Sequence, residues 1–139
     1  MSSYLETPGK KNGLAYIYEA ATEGAASDLA SGRRIVPALL YRNANDGAYH
    51  YLKLDGFETV GQDLILLDSK TRLAIRNGLV KDDQVASLRR LEQALSQNPG
   101  QAVKFQFPTL AARDEAELAI GRQVPDLLKF NDFSMEVRP

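Results

Sequence analysis

Residues 63–70 constrain the fold of this chain more than any other segment. They read DLILLDSK, and the four consecutive apolar residues occupy both alternating faces of an extended strand. A strand that is apolar on both faces is typical of the centre of a sheet that other elements cover on each side. The segment therefore predicts a layered domain whose central strand ends in a polar group that includes Asp68 and Lys70.

Hydrophobic periodicity predicts seven further elements around this strand. In chain order, with the central strand included, we predict a helix over 14–30, strands over 35–42, 48–55 and 63–70, a helix from 82 or 83 to 97, a strand over 102–107, a helix over about 110–123 and a strand over 133–138. Pro37 favours an edge or bulged strand. Asp82 or Asp83, and then Thr109, are candidate helix caps. This order predicts a mixed α/β (α+β) domain with a β-meander at its centre.

The length of 139 residues predicts one domain. Apolar residues make up 44% and charged residues 25% of the chain, which is typical of a globular protein. We expect a flexible polar lead-in over 1–13 and a single domain over 14–139. The sequence contains no apolar run of the length that a signal peptide or a membrane-spanning helix needs, so we expect no membrane partner.

Composition excludes several kinds of site. The chain has no Cys, which excludes disulfides, thiolate zinc sites and a Cys nucleophile. His50 is the only histidine, so a multi-histidine metal site is excluded. With 17 Lys+Arg against 18 Asp+Glu, the net charge is -1, and the pI is about 5.8. Domains that coat nucleic acid are usually strongly basic, so any contact with nucleic acid here needs a local site.

The most informative candidate site joins Asp55 to Asp68 and Lys70. Side chains two residues apart on a strand share a face, so Asp68 and Lys70 emerge together. If the strand ending at Asp55 pairs antiparallel with the next one, the two aspartates meet when the loop between them is short or the strands bulge. Paired carboxylates can hold a hard divalent ion, and a neighbouring lysine can orient water or stabilise charge on a phosphate. The structural alternative is that these polar residues only mark the ends of their strands, with Asp55-Gly56 as a turn and with Asp68 and Lys70 as an ion pair.

Other residues could complete such a site. Glu19 and Glu23 lie four apart on one face of the first predicted helix, and either could supply a third carboxylate; alternatively, they form a solvated acidic face. Tyr51 shares a predicted strand face with Asp55 and could stack on a base, although tyrosines are common on strands. Arg72 continues the face of Asp68 and Lys70 and could contact phosphate. We interpret His50 as a packing or hydrogen-bonded residue.

The order of these motifs resembles the PD-(D/E)XK nuclease superfamily. A Glu-bearing helix precedes LKLDGFE and DLILLDSK, and a helix follows them. More narrowly, LDGFE, LLDSKTRLA, the helix QVASLRRLEQALSQNP and the strand VKFQFPT are similar to restriction-endonuclease-fold toxin domains. Those domains form the C-terminal ends of bacterial polymorphic toxins, including contact-dependent inhibition and type VI secretion effectors. The resemblance runs from about residue 18 to the C-terminus.

The resemblance implies a role for each matching residue. Asp55 corresponds to the metal-binding aspartate, Asp68 to the acid of the (D/E)xK element and Lys70 to its lysine. Glu19 lies where the family has a helix glutamate, with Glu23 as the second choice for a metal ligand. The following helix, where such enzymes place phosphate-contacting groups, offers Gln84 or Gln93 together with Arg89 and Arg90. Asp68 stands where Glu is commoner, which shortens the reach of that ligand.

The resemblance also implies a restriction-endonuclease-like αβββαβ core and a function. It predicts an Mg²⁺- or Mn²⁺-dependent endonuclease toxin that hydrolyses phosphodiester bonds, with DNA favoured over tRNA or other RNA. Such a toxin is secreted or delivered, acts in the cytoplasm of a competing bacterium, and has a cognate immunity protein as a partner. The rival hypothesis is a non-catalytic acidic binding module, such as an immunity protein, which the acidic pI favours.

Overall fold

Two four-stranded sheets, a two-stranded ribbon and two α-helices make up the part of the chain that the structure describes. The structure is a computed structural model, and it describes residues 2–6, 26–28, 33–70, 75–76 and 78–139, with side chains over 37–70 and 78–139. The mixed α/β class predicted from the sequence is therefore confirmed, with a mixed sheet at the centre.

The first sheet has four strands. Its strands are β1 (Ser2–Glu6), β2 (Ala26–Asp28), β3 (Arg33–Arg42) and β4 (Tyr49–Lys53). All three of the other strands pair antiparallel with β3. The hairpin between β3 and β4 reverses the chain at 43–48, as its Asn, Asp and Gly content predicts, and Gly47 adopts a φ of 67° there.

The second sheet is mixed and also has four strands. Its strands are β5 (Gly56–Val60), β6 (Asp63–Ser69), β9 (Ala102–Phe107) and β10 (Phe133–Val137). β6 pairs antiparallel with β5 and parallel with β9, and β9 pairs parallel with β10. The segment 63–69 is thus an interior strand, as its apolar pattern predicted, and Leu66 and Leu67 are fully buried on its two faces.

Each of the two α-helices packs against a different sheet, the first on β3 and β4 and the second on β9 and β10. They are α1 (Asp82–Gln97) and α2 (Leu110–Gln123), followed by a 3₁₀ helix (Pro125–Lys129); β7 (Ile75–Arg76) and β8 (Leu79–Val80) form the ribbon before α1. One apolar core joins both sheets and both helices, and it includes Leu39, Leu66, Leu91, Phe107 and Ile120. None of the described helices is both long and apolar enough to cross a membrane.

Five predictions about elements need correction. Residues 2–6 of the expected lead-in form β1, because their backbone pairs with 34–38 of β3. Residues 26–28, expected at the end of the first helix, pair with 33–35 instead; the rest of that helix lies largely outside the described residues. Residues 56–60, expected as loop, form β5. The last two corrections concern Pro37 and the start of α1.

Pro37 lies within a strand that is paired on both edges, and not on an edge strand. On one side of β3, β2 pairs with 33–35 and β4 pairs with 38–42, so Pro37 falls in the interval where the partner changes. An interval of this kind tolerates the missing N–H of proline. At the start of α1, the cap position is Lys81, and Asp82 and Asp83 occupy the first turn, where their charge favours the helix dipole.

Candidate active site

Asp55 lies where the chain passes from the first sheet to the second. The Leu54 N–H donates to the Pro37 carbonyl of β3, whereas the Asp55 N–H donates to the Leu67 carbonyl of β6, at 2.9 and 2.8 Å. The strict alternation predicted over 48–55 ends at this point, because Leu54 and Asp55 are both buried. The sequence predicted that Asp55 shares the exposed face of Tyr49 and Tyr51. This prediction is wrong, because Asp55 is buried.

The pairing of β5 with β6 brings Asp55 to Asp68. A two-residue turn at 61–62, with Gly61 at a φ of 63°, closes the hairpin and pairs Val60 with Asp63 and Gly56 with Leu67. Beyond Gly56 the pairing is offset by one residue, because the Asp55 N–H donates to the Leu67 carbonyl. The Asp55 carboxylate accepts a hydrogen bond of 2.7 Å from the Ser69 N–H, so Asp55 contacts the residues on both sides of Asp68. The short loop that the sequence argument required is present.

Asp68 and Lys70 form an ion pair at the end of β6. Lys70 Nζ lies 3.2 Å from Asp68 Oδ2, and the side chains are 33% and 19% exposed. The ammonium also lies 5.4 Å from the centroid of the Phe105 ring, on the neighbouring strand β9. Partial burial strengthens the Coulomb interaction relative to bulk water while leaving both groups open to a ligand.

A cleft of about 430 Å³ opens in front of this pair. Its walls are β4, the end of β6 and the first half of α1, and its described lining consists of Tyr51, Leu52, Lys53, Leu54, Asp68, Lys70, Gln84, Ser87, Leu88, Arg90, Leu91 and Phe105. Three of these residues are cationic and one is anionic. The cleft is therefore locally positive in a chain whose net charge is -1, and it suits an anionic ligand.

Helix α1 presents one side to the cleft. Gln84, Ser87, Leu88 and Leu91 recur at helical spacing on that side. The cleft-facing arginine is Arg90, whose Nη2 donates to Ser87 Oγ at 2.8 Å. Arg89 points about 140° around the helix from Gln84, is exposed, and lies outside the cleft.

Of the two glutamines offered by α1, Gln84 lies in the cleft and Gln93 does not. Gln93 Oε1 accepts from the Ala44 N–H in the turn after β3, at 2.9 Å, and so fastens the helix to the hairpin. Tyr51 lines the cleft and is 54% exposed, which leaves its ring accessible. Of the predicted site residues, Tyr51, Asp68, Lys70 and Gln84 line the cleft. Asp55 is held at the end of β6 by the backbone of Leu67 and Ser69 and is not part of the described lining.

Three predicted site residues lie outside the described part of the chain. They are Glu19 and Glu23, the two candidates for the helix carboxylate, and Arg72, the candidate phosphate contact after β6. Among the residues that are described, no group of three or more His, Asp or Glu side chains could hold a metal ion.

The donor chemistry of Asp55 and Asp68 nevertheless fits a hard divalent cation. Mg²⁺ in proteins is usually bound through one or two carboxylates, with waters and substrate phosphates completing its shell. The Ser69 N–H donates to one oxygen of Asp55, and Lys70 lies beside one oxygen of Asp68. A carboxylate has two oxygens and about four acceptor positions, so these bonds are compatible with cation binding.

His50 takes no part in this arrangement. Its Nε2 lies 2.7 Å from Asp46 Oδ2 in the β3–β4 turn. Asp46 Oδ1 accepts from the Ala48 N–H at 2.9 Å, and this backbone bond, together with His50, lowers the pKa of the Asp46 carboxyl. His50 is therefore a hydrogen-bonded residue of the hairpin, in agreement with the sequence interpretation.

A second ionic cluster occupies the opposite face of the sheet. Lys104 of β9 donates to Glu58 Oε1 at 2.7 Å and lies 3.3 Å from Glu136 Oε2. Burial opposes the charge of Lys104, but the hydrogen bonds and charges of the two glutamates outweigh it and raise the pKa of the ammonium. Lys104 pairs in register with Leu67, and the side chains of successive β6 residues alternate, so this cluster is separated from Asp68 by the sheet.

Sequence reasoning missed two cleft residues as contacts. Lys53 lies two residues after Tyr51 on β4, so the alternation of the strand already placed it with Tyr51. Ser87 lies three residues after Gln84, on the same side of α1. Both signals were present in the sequence, but only the fold shows that the two elements face each other.

Comparisons of the chain with protein-family models, with curated proteins and with solved structures found no match.

Proposed function

We propose that this chain is a metal-dependent nuclease whose active site is centred on Asp68 and Lys70. One observation carries the proposal: Asp55 binds the backbone on both sides of Asp68, next to a Lys70 ammonium that faces a locally cationic cleft. This combination supplies two carboxylates for a hard cation and fixed positive charges for a phosphate.

We further propose a restriction-endonuclease-like αβββαβ core for the fold. Supporting this proposal, β4 and β5 follow each other with only Leu54 and Asp55 between them, so they act as one bent strand. With that reading, β3, β4–β5 and β6 are the three successive strands, α1 is the following helix and β9 is the last strand. The initial helix of that core corresponds to the element expected over 14–30.

The chemistry follows from the cleft side chains. Water attacks phosphorus and gives up one proton to solvent, the P–O bond to the leaving oxygen breaks, and the leaving oxygen takes up one proton from solvent. The Asp68 carboxylate can accept a hydrogen bond from the attacking water, and Lys70 can stabilise the negative charge that develops on the phosphate. Lys53, Arg90 and Gln84 can bind phosphates that flank the reacting one. Asp55 and Asp68 would hold Mg²⁺ or Mn²⁺, which supplies further positive charge at the phosphate when bound.

The substrate we favour is DNA, with tRNA or other RNA as the alternative within the same site. The exposed ring of Tyr51 supports a substrate with an unpaired base, because aromatic side chains stack on bases that are not already stacked. The toxin role belongs to the same proposal: delivery into the cytoplasm of a competing bacterium, and a cognate immunity protein in the producing cell.

The direct test is incubation of the purified chain with plasmid DNA and, separately, with total tRNA, each with and without Mg²⁺ or Mn²⁺. We expect cleavage that requires the metal and that Asp68→Ala and Lys70→Ala abolish. Cleavage that survives in both variants would disprove the site, and the absence of cleavage of either substrate would disprove the function.

The second candidate function is a non-catalytic acidic binding module. It is favoured by one observation, namely that Asp55 and Asp68 each have an intrachain partner that explains their presence without a ligand. Calorimetric titration with Mn²⁺ distinguishes the two functions. The nuclease proposal predicts binding that Asp68→Asn removes, whereas a binding module predicts none at this position.

A further inference from the structure

The side of α2 that faces away from the core carries exposed leucines. Ala116, Ala119 and Ile120 are buried against the core. On the opposite side, Leu110 is 61% and Leu118 is 58% exposed. Leu128, in the 3₁₀ helix, is also exposed, and its Cδ1 lies 3.6 Å from where a Cβ on Gly121 would be. We call these three leucines, together with Gly121, the outer strip.

Charged residues flank Leu118 with opposite sign on its two sides. Asp114 and Glu117 lie before it, and Arg122 lies after it. All three line a shallow depression with Leu118 and Gly121. Arg113 Nη1 contacts both acids, at 3.1 and 2.9 Å, and its Nε donates to the Met135 carbonyl, so the acids are held in place on the helix surface.

This pattern is complementary to itself in the antiparallel sense. A two-fold axis through Leu118 pairs each position with the one equally distant on the other side of residue 118. Asp114 of one copy then meets Arg122 of the other, because each is four residues from Leu118. Leu110, eight residues before the axis, has no counterpart on the partner's α2, because position 126 is Asp126 and lies in the 3₁₀ helix beyond the end of α2. The two Leu118 side chains meet at the centre, and both charge pairs are attractive.

We propose that the outer strip is a homodimer interface in which two copies of α2 pack antiparallel about Leu118. A two-fold interface uses the same surface on both copies and therefore has to be self-complementary, as this strip is. The partner is a second copy of this chain because the charge order reverses about one apolar residue, a property that a dissimilar partner would not require. The inference depends on no part of the proposed nuclease function.

The size of the strip sets the expected strength. From Leu110 to Arg122 the helix rises about 18 Å, and the contact is extended only by Leu128 and its neighbours. An interface of one helix pair is at the small end for specific complexes, so the dimer should be weak and concentration-dependent.

The first experiment is sedimentation velocity of the full chain over a range from about 5 µM to about 500 µM, which spans the affinities expected for a weak dimer. We expect a monomer–dimer equilibrium that Leu118→Glu weakens at least tenfold, since it places two carboxylates at the two-fold axis. Val60→Glu is the matched control, because Val60 is equally exposed but lies on β5. It should leave the equilibrium unchanged.

The second experiment exchanges the charges across the axis. Asp114→Arg alone and Arg122→Asp alone each place like charges opposite one another twice, so each variant should dimerise at least tenfold more weakly. An equimolar mixture of the two variants restores two attractive pairs in the heterodimer, so it should associate more strongly than either variant alone. Circular dichroism of each variant checks that the fold is retained.

Three results would overturn the proposal. They are a wild-type chain that stays monomeric at every concentration, a dimer that Leu118→Glu leaves intact, and variant mixtures that associate no better than the separate variants. If the wild-type chain is monomeric, any partner of the outer strip is a different protein. If a dimer forms but the variant mixture does not recover association, the dimer uses another interface or another orientation.

Discussion

Asp55 has two separable roles at the scale of a single residue. Its carboxylate accepts the Ser69 N–H inside the protein, and its charge belongs to the proposed metal site. Asp55→Ala should lower the free energy of unfolding by about 1–3 kcal/mol, because a buried N–H loses its acceptor. Asp55→Asn keeps an amide oxygen for that N–H and should be clearly less destabilising, yet both variants should lose cleavage.

Urea denaturation and plasmid nicking, measured on the same preparations, check this separation. Equal destabilisation by Asn and Ala would show that the carboxylate charge itself stabilises the fold. Cleavage by Asp55→Asn at the wild-type rate would remove Asp55 from the proposed site.

Lys104 gives the molecule an alkaline dependence of stability. Because the pKa of this ammonium is raised on folding, its contribution is complete below the pKa of an ordinary lysine, about 10.4, and is lost as the pH rises through the folded value. Lys104→Met should lower the free energy of unfolding at pH 8 by about 1–3 kcal/mol, since Glu58 and Glu136 lose their partner.

Urea midpoints at several pH values between 8 and about 11.5, a range set by the ordinary lysine pKa, test this prediction. The difference in urea midpoint between wild type and Lys104→Met should shrink above pH 10.4, the ordinary lysine pKa. Lys129→Met is the control: because the pair of Lys129 with Asp126 is exposed, this variant should have nearly the wild-type midpoint at every pH. A difference that does not change with pH would mean that Lys104 stabilises by packing and not by charge.

At the scale of elements, the start of α2 depends on one side chain. Thr109 is the N-cap, and its Oγ1 accepts from the Ala112 N–H at 3.1 Å, as the sequence predicted. Thr109→Ala should cost about 1 kcal/mol of stability in urea denaturation, and Thr109→Ser should cost much less because it keeps the hydroxyl. Equal losses would attribute the effect to the methyl group of Thr109.

The two adjacent arginines of α1 provide a test of which helix side binds substrate. Arg90 lines the cleft and Arg89 does not. Arg90→Ala should therefore weaken DNA binding by about tenfold, consistent with the loss of one charge-assisted contact, and Arg89→Ala should leave it close to wild type. Fluorescence anisotropy with a labelled duplex, at fixed salt, measures both. A larger loss from Arg89→Ala would place the substrate on the other side of the helix.

The elements show why some of the fold could be read from the sequence. The segment 63–69, both described helices and β9 have strong periodicity or apolar runs, and a cap or breaker near their ends, so their bounds were predicted closely. β1, β2 and β5 are short and carry no clear alternation. They exist because a neighbouring strand supplies their hydrogen-bond partners, and that information is absent from local sequence.

The candidate site was predictable to the same extent. Asp68 and Lys70 share a strand face by simple alternation, and the sequence predicted that directly. The approach of Asp55 depended on a two-residue turn and on the switch of sheets after Leu54, neither of which periodicity reveals. The choice of Arg90 over Arg89, and of Gln84 over Gln93, depended on which side of α1 faces the sheet.

At the scale of the whole molecule, charge is nearly balanced but unevenly distributed. The chain has 17 basic and 18 acidic residues, whereas the described lining of the cleft contains Lys53, Lys70 and Arg90 against Asp68 alone. A balanced chain can thus present a locally positive site, and a bound divalent cation would add to that charge. What the balance argues against is tight, metal-free coating of nucleic acid.

In the nuclease that we propose, Asp68 is a catalytic residue and not only a strand-end acid. The most direct measurement compares the initial rate of plasmid cleavage in Mg²⁺ for wild type, Asp68→Asn and Asp63→Asn. Asp63 begins the same strand, is exposed and lies outside the cleft, so it is a matched control. We expect Asp68→Asn to lose about 100-fold or more and Asp63→Asn to cleave like wild type; equal rates for the two variants would contradict the proposed active site.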